Sequence, residues 1–241
     1  MSTLPVSAVL AWWGTSWLQG AAAADDLLDA VLGDDAAHTV GGLEAEPVGL
    51  LAALAQMRAR GATGVGAAFP AEGDLVGLGG PADLNLAAVE VGEAVCSWEA
   101  DLALVPLRVG AGVQWSAHPC RRRQLPDVGE ADRELRLVLV SAAERLAGLE
   151  VARWRPEVAD ELMDLRRRGP LAAPPGVPPR CVELAGRALQ ALAVVELALE
   201  DDGGAITAAE AAERREALVP LHRTGRRALT AACSPEVWPP A

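Results

Sequence analysis

The stretch RCVELAGRALQALAVVELALE, residues 180–200, decides how the chain folds. It is the most apolar segment with a helical period, which predicts a helix at the centre of the molecule. Its apolar run, 184–199, contains Arg187, Gln190 and Glu196. A bilayer-spanning helix does not carry three such polar groups, so we interpret the segment as a core helix and expect no membrane span.

Further helices surround this one in the second half of the chain. Apolar residues recur at helical spacing over 127–150, 156–168 and 207–232. Residues 169–179 contain five prolines and predict a linker, because proline interrupts both helices and paired strands. The region 127–232 is therefore expected to be a bundle of about four helices.

The first half combines helices with a glycine-rich region. Helical spacing predicts helices over 5–19, 25–32 and 47–60. Short apolar stretches between glycines then predict strands, although 84–93 also has the spacing of a short helix. The predicted strands are 65–69, 74–78, 94–98, 103–109 and 113–118.

These elements predict an α+β fold of one domain spanning 1–241. Its parts are N-terminal helices, a small and mostly antiparallel sheet, the C-terminal helical bundle and a tail, because runs of helices and strands favour segregated layers. The corresponding ranges are 1–62, 63–120, 127–232 and 233–241.

The composition indicates which large side chains fill the core. Ala, Leu, Val and Gly dominate, with one Phe, no Tyr and seven Trp. Six of the Trp residues are expected to anchor the core because they supply most of the large apolar surface. They are Trp12, Trp13, Trp17, Trp98, Trp115 and Trp154. Trp12 lies off the apolar face of the first predicted helix, so an interface role is its alternative.

Charge and cysteine content bear on partners and location. The net charge is −12, and residues 1–120 carry most of it, which disfavours nucleic-acid binding. The four cysteines form no C-x-x-C pair, and the N-terminus lacks the basic region of a signal peptide. We therefore expect a cytoplasmic protein with reduced thiols and with no metal or cofactor.

Four stretches carry a resemblance to uncharacterised proteins of high-GC actinobacteria. They are AAFPAEGDLVGLGGPADLN (67–85), RQLPDVGEADRELR (123–136), VARWRPEVADEL (151–162) and VELALEDDGG (195–204). No activity is attached to this group, so the resemblance implies a lineage and transfers no catalytic residue.

His118 and Cys120 are the first candidates for chemistry. Residues two apart on a strand share a face, so these two side chains are able to meet one ligand, with Cys96 on a neighbouring strand as a third group. The alternative is structural: His118 ends a strand and Cys120 is a small buried apolar residue.

Arginine clusters are the second candidate. Arg121, Arg122 and Arg123 follow Cys120 directly, and other clusters lie at 166–168 and 214–227. Guanidinium groups bind phosphates and carboxylates, so the 121–123 cluster is a candidate anion-binding or interface site. The alternative is that the arginines only solvate helix surfaces beside acidic residues.

Glu196 is the third candidate. The helical wheel places it on the apolar face of 180–200, where a buried carboxylate has to be paired or neutralised. We expect a bridge to Arg214 or Arg215 on the following helix. A general acid or base is the functional alternative.

The function expected from these features is protein–protein interaction or self-association, because no metal, nucleotide or nucleophile motif is present. Leu137 and Val140 support it, since they lie opposite the main apolar stripe of their helix.

The alternative is a small-molecule-binding protein or an enzyme whose pocket lies between the sheet and the C-terminal helices. That pocket would gather Glu93, Glu99, His118, Arg121 and Glu196. Nucleic-acid binding through the arginines is the third possibility.

Overall fold

The computed structural model describes residues 4–148, 171–200 and 208–239 of the chain. The helices are α1 (Val6–Leu18), α2 (Ala24–Leu32), α3 (Leu50–Ala59), α4 (Ala82–Val91), α5 (Val128–Gly148), α6 (Pro179–Glu200) and α7 (Ala208–Ala232). The strands are β1 (His38–Gly41), β2 (Val48–Gly49), β3 (Gly66–Ala68), β4 (Ala94–Ser97), β5 (Leu102–Val109) and β6 (Gly112–Pro119). A 3-10 turn, Pro235–Val237, follows α7.

The six described strands form one sheet in the order β2-β1-β6-β5-β4-β3. All neighbouring strands are antiparallel except β1 and β6, which run parallel. The long β5–β6 hairpin is the centre of this sheet. The predicted α+β class with a mostly antiparallel sheet is confirmed.

The two faces of the sheet build two different cores because successive side chains of a strand point to opposite sides. Leu104 and Trp115 belong to a cluster with apolar residues of α1 and α3. Cys96 and Ala103 lie opposite each other on β4 and β5 and belong to a cluster with α4. The sheet is thus enclosed between N-terminal helices and α4 over part of its area.

A third core lies among the C-terminal helices. Helix α7 packs on both α5 and α6. Their contact surfaces consist largely of small and branched side chains, as in Leu135, Ala188 and Leu218. The predicted fourth helix of this bundle, 156–168, lies outside the described residues. Within 4–148, 171–200 and 208–239, no helix has the length and apolarity that crossing a membrane requires.

The main differences from the sequence-based expectation concern the segment 74–78 and the strands β1 and β2. The strand predicted over 74–78 is wrong: the chain turns there, with one bridge between Ala71 and Asp74 and positive φ at Gly77. The helical alternative for 84–93 is confirmed as α4. Strands β1 and β2 were not predicted, because their sequences HTVG and VG are too short to show a period.

Candidate functional site

Among the predicted core tryptophans, Trp12 and Trp115 are fully buried. The interface alternative for Trp12 is therefore wrong. Its indole packs in the C-terminal core and donates a hydrogen bond to the carbonyl oxygen of Ala232, 3.2 Å away. Trp98 was also expected to anchor the core, but it is 38% exposed. Trp154 lies outside the described residues.

His118 and Cys96 do share one face of the sheet, since both are aligned with Ala103. Cys120 follows the end of β6 and is buried. The hydrogen bond to Cys96, followed by burial, raises the pKa of the Cys120 thiol. This environment opposes a thiolate at Cys120, whereas the same hydrogen bond lowers the pKa of Cys96. No group of three metal-binding side chains occurs in the part of the chain that the structure describes.

The three arginines that follow Cys120 do not act as one cluster. Arg121 and Arg122 are exposed, and the guanidinium carbon of Arg122 lies 5.4 Å from the centroid of the Trp98 ring. Arg123 is buried and pairs with Glu236. The prediction of an anion site on all three is therefore wrong for Arg123, because internal acceptors already occupy its guanidinium group.

Glu196 is exposed, so its predicted burial is wrong. The fully buried line of α6 consists of Leu184, Ala188, Ala191 and Val195, whereas Leu189 and Leu192 are only partly buried. Small side chains allow α7 to approach closely, and Glu196 then falls outside the contact. No ion pair joins Glu196 to Arg215 in the described parts of the two helices, and the side chain of Arg214 lies outside them.

The polar groups expected to converge in one pocket take separate local partners. Glu93 accepts a hydrogen bond from the backbone N–H of Ser7 at the start of α1, at 3.0 Å. Glu99 accepts one from the backbone N–H of Thr63, at 2.6 Å, and His118 contacts the hydroxyl of Ser116. None of the five predicted residues lines either of the two cavities described below.

His38 is a buried polar residue that the sequence did not reveal as important. One ring nitrogen, Nε2, lies 3.2 Å from a carboxylate oxygen of Asp35, and the other, Nδ1, accepts a hydrogen bond from the indole of Trp115. The hydrogen bond to Arg108 is the largest influence lowering the pKa of Asp35. Both ring nitrogens of His38 therefore have partners within the chain, and these contacts fix β1 to β6.

Asp74 is the centre of the most concentrated charge cluster among the described residues. Its carboxylate lies 3.5 Å from Arg223, 3.1 Å from Arg226 and 3.5 Å from Arg227, all on α7. Arg226 also donates a 2.8 Å hydrogen bond to the carbonyl oxygen of Phe69. These contacts hold the 69–79 loop against α7 and explain why it turns instead of forming a strand.

Two cavities flank Asp74. The larger, of about 730 Å³, lies between the loop and the start of α5, and acidic side chains such as Glu130 and Glu134 line it. The smaller, of about 300 Å³, lies between the loop and the α6–α7 pair. Its lining residues are Ala71, Glu72, Gly73, Asp74, Val195, Leu199, Val219, His222, Arg223 and Arg226.

The outer face of α5 is the second notable surface. Leu137 and Val140 are 73% and 59% exposed. Arg133 and Glu144, also exposed, lie four residues before and four residues after this pair. The four positions follow one stripe of the helix, because residues three and four apart are neighbours on its surface. The stripe 133, 137, 140 and 144 is called the α5 stripe below.

Comparison with known families gives two adjoining matches. The model described as Rv1486c-like protein, N-terminal domain, matches residues 7–132, which is more than half of the chain. The model described as Rv1486c-like protein, C-terminal domain, matches residues 129–230. The chain belongs to the Rv1486c-like family. The resemblance to an uncharacterised actinobacterial group is confirmed. Searches of the curated proteins and of the solved structures returned no match.

The two Rv1486c-like domains meet along β3, the loop after it and the end of α7. The hydroxyl of Thr230 accepts a hydrogen bond from the backbone N–H of Phe69, and Ala67 donates its backbone N–H to the carbonyl oxygen of Cys233. The Asp74 cluster lies in this same contact, as does the bond from Trp12. All four residues of the α5 stripe lie within the match to the C-terminal domain. The match to the N-terminal domain ends at residue 132, directly before the stripe begins.

Proposed function

We propose that the protein self-associates, and that two copies pair through their α5 stripes. The observation that carries the proposal is the exposure of Leu137 and Val140 side by side on a long helix. Large apolar side chains next to each other on an exposed helix face are favourable contact points for another helix. The same two residues were part of the positive sequence evidence for an interaction function, beside the N-terminal tryptophans.

The charges around this pair favour a second copy as the partner. In an antiparallel α5 pair whose two-fold axis passes between Val138 and Leu139, Leu137 of each copy faces Val140 of the other. The same axis places Arg133 of each copy opposite Glu144 of the other. A two-fold interface requires such self-complementarity, because one surface has to match itself.

The other side of α5 is already engaged within the chain. Asp132 pairs with Arg187 of α6, at 2.7 Å, and with Arg136 on its own helix. These bonds fix the rotation of α5 on the bundle, so the α5 stripe faces outward. The stripe is therefore presented on a rigid support, which lowers the entropic cost of association.

The dimer is expected to be weak. A single helix pair buries less than the roughly 1,200 Å² that characterises stable complexes. The apolar pairs supply most of the affinity, while exposed ion pairs contribute about 0.2–1 kcal/mol each and chiefly fix the direction of pairing.

Sedimentation velocity over a concentration series tests the proposal. The wild type should show a monomer–dimer equilibrium that Leu137→Glu abolishes. Leu86→Glu is the matched control, because Leu86 is equally exposed but lies on α4. Arg133→Glu and Glu144→Arg should each weaken the dimer, and the double variant should recover it. A monomer at all concentrations, or equal loss from Leu86→Glu, would refute the proposal.

We also propose that the protein works in a reducing compartment, in keeping with the expected cytoplasmic location. All four cysteines are free thiols and buried. Titration of thiols in unfolded protein taken from its native host tests this: four free thiols are expected, and fewer would contradict it.

A further inference from the structure

Cys96 and Cys120 are two thiols that the fold brings together from different strands. Cys96 lies on β4, and Cys120 directly follows β6. Both belong to one buried cluster, in which Cys96 is fully buried and Cys120 is 2% exposed. A hydrogen bond joins the two thiol groups. This contact brings the two sulfur atoms close to the separation from which a disulfide forms.

The path of the segment after β6 explains how the two thiols meet. The backbone N–H of Cys120 donates to the carbonyl oxygen of Asp101, at the turn between β4 and β5, over 3.2 Å. The side chain of Arg123 then reaches Gly66 of β3, the residue that is paired with Cys96 in the sheet. The segment therefore crosses from β6 toward the β3 edge, and it carries Cys120 onto Cys96.

The surroundings of the two sulfur atoms differ. The hydrogen bond from Cys120 is the largest influence lowering the pKa of Cys96; burial opposes it, and the positive charge of Arg123 lowers the pKa further. The same hydrogen bond, followed by burial, raises the pKa of Cys120. Cys96 is therefore the sulfur that attacks an oxidant as a thiolate, whereas Cys120 remains a thiol that reacts in a second step.

Cys181 and Cys233 provide a contrast within the same chain. Both are fully buried in the C-terminal core. Burial raises the pKa of Cys181 to about 11, and it also raises the pKa of Cys233. Neither thiol is therefore expected to react as a thiolate in the folded protein at neutral pH. These two cysteines are an internal control for any oxidation of Cys96 and Cys120.

We propose that hydrogen peroxide oxidises Cys96 and Cys120 to a disulfide, which fastens the segment after β6 to β4. Peroxide is close to water in size, and Cys120 lies between the exposed residues Pro119 and Arg121, so a small local opening admits it. In a reducing compartment the pair stays reduced until peroxide is supplied, and exchange with a dithiol restores the two thiols. The proposal is independent of self-association, since neither cysteine lies on the α5 stripe.

The oxidation takes place in two steps. The Cys96 thiolate attacks one peroxide oxygen and the O–O bond breaks; the departing hydroxide takes up the proton that Cys96 had released, and Cys96 becomes a sulfenic acid. The sulfur of Cys120 then attacks the sulfur of Cys96 and the S–O bond breaks; the departing hydroxide combines with the proton of Cys120. Two thiols lose two electrons in total, and one peroxide is reduced to two water molecules.

Peptide mapping of the folded, full-length protein after treatment with hydrogen peroxide tests the site. Excess peroxide is removed, the remaining thiols are alkylated in denaturant, and the chain is cut with trypsin. Each cysteine then lies on its own peptide: 61–108, 109–121, 181–187 or 228–241. Peptides 61–108 and 109–121 should be joined by a disulfide that dithiothreitol breaks, whereas 181–187 and 228–241 should remain alkylated. Two of the four thiols are thus expected to be lost.

Two single variants separate the roles of the two sulfur atoms. Cys120→Ser should stop at the sulfenic acid of Cys96, which dimedone added with the denaturant traps on peptide 61–108. Cys96→Ser should leave Cys120 a free thiol after the same treatment. Alkylation of Cys96 and Cys120 in the treated wild type, equal loss of the Cys181 and Cys233 thiols, or oxidation of Cys120 in Cys96→Ser would each overturn the proposal.

Discussion

The buried guanidinium group of Arg123 donates hydrogen bonds from two of its nitrogens to the carboxylate of Glu236. Nη2 lies 2.8 Å and 3.0 Å from the two carboxylate oxygens, and Nε lies 3.0 Å from one of them. The same guanidinium group donates to the hydroxyl of Ser234 and to the carbonyl oxygens of Ala67 and Gly77. One side chain therefore joins the segment after β6, the edge strand β3 and the tail after α7.

Arg123→Ala should destabilise the protein by about 3 kcal/mol. The substitution leaves a partly buried carboxylate and two buried carbonyl groups without their donor, which is costlier than the loss of a surface pair. Urea denaturation monitored by Trp fluorescence measures the change in the free energy of unfolding. Arg121→Ala is the control, because Arg121 is exposed, and it should change stability by less than about 0.5 kcal/mol. Equal effects would mean that the buried pair contributes no more than a surface arginine.

Gly66→Ala should also destabilise the protein, by more than about 2 kcal/mol. A Cβ atom at residue 66 would lie 1.9 Å from Nη2 of Arg123 and 2.9 Å from a carboxylate oxygen of Glu236. The buried ion pair would have to move to relieve this overlap, and overpacking of this kind is costly. Thermal unfolding followed by circular dichroism measures the loss.

Gly186→Ala is the matched control for this substitution. Gly186 lies within α6, and a Cβ atom there meets nothing within 4 Å. Alanine is more favourable than glycine in the interior of a helix, so Gly186→Ala should stabilise the protein by about 0.5–1 kcal/mol. Two Gly→Ala changes in one chain are thus expected to have opposite signs. Similar melting temperatures for the two variants would contradict the close packing at residue 66.

The helices of the described chain were predictable because their apolar residues recur at a regular spacing. The predicted segments 180–200 and 47–60 correspond closely to α6 and α3. Strand β1 was not predictable, because its position depends on contacts distant in sequence. It is fixed by the Trp115–His38 hydrogen bond and by a bond from Ala36 to Ala111 at the tip of the β5–β6 hairpin.

The candidate sites were harder to predict than the fold, for the same physical reason. The partner of Arg123 is 113 residues away, so no local pattern distinguished it from the exposed Arg121. The wheel of α6 was centred on leucines such as Leu192, which is only partly buried, whereas the fully buried line of the helix runs through Ala188. A helical wheel gives the apolar side of a helix, but the neighbouring helix determines which part of that side is buried.

The stability contributed by Glu93 should depend on pH. Burial raises the pKa of this carboxyl above its ordinary value near 4.5, although the backbone N–H of Ser7 partly opposes the shift. The folded protein thus binds a proton that the unfolded chain releases, and stability falls as the pH rises through this interval. Glu93→Gln removes the ionisation and keeps an acceptor for Ser7. The variant should therefore gain stability relative to the wild type as the pH increases from about 4.5 to 7.

Urea denaturation of both proteins across that pH range measures the difference. Glu90→Gln is the control, since Glu90 is exposed near the end of α4, three residues before Glu93, and the stability of this variant should stay parallel to that of the wild type. A constant difference between Glu93→Gln and the wild type would show that the carboxyl ionises equally in the folded and unfolded chains.

Asp74→Ala should be the most damaging substitution in the contact between the two Rv1486c-like domains. Asp74 is the carboxylate shared by three arginines, and its removal leaves the buried Arg226 without a counter-ion, which costs about 3 kcal/mol. Repulsion among the partly exposed Arg223 and Arg227 adds to the loss, and salt screens that repulsion. The deficit in the free energy of unfolding measured by urea denaturation should therefore shrink when NaCl is raised from low concentration to about 1 M.

Glu72→Ala, which removes an exposed carboxylate two residues away, should cost less than about 0.5 kcal/mol. A deficit of Asp74→Ala that does not respond to salt would indicate lost packing of the 69–79 loop instead of unbalanced charge.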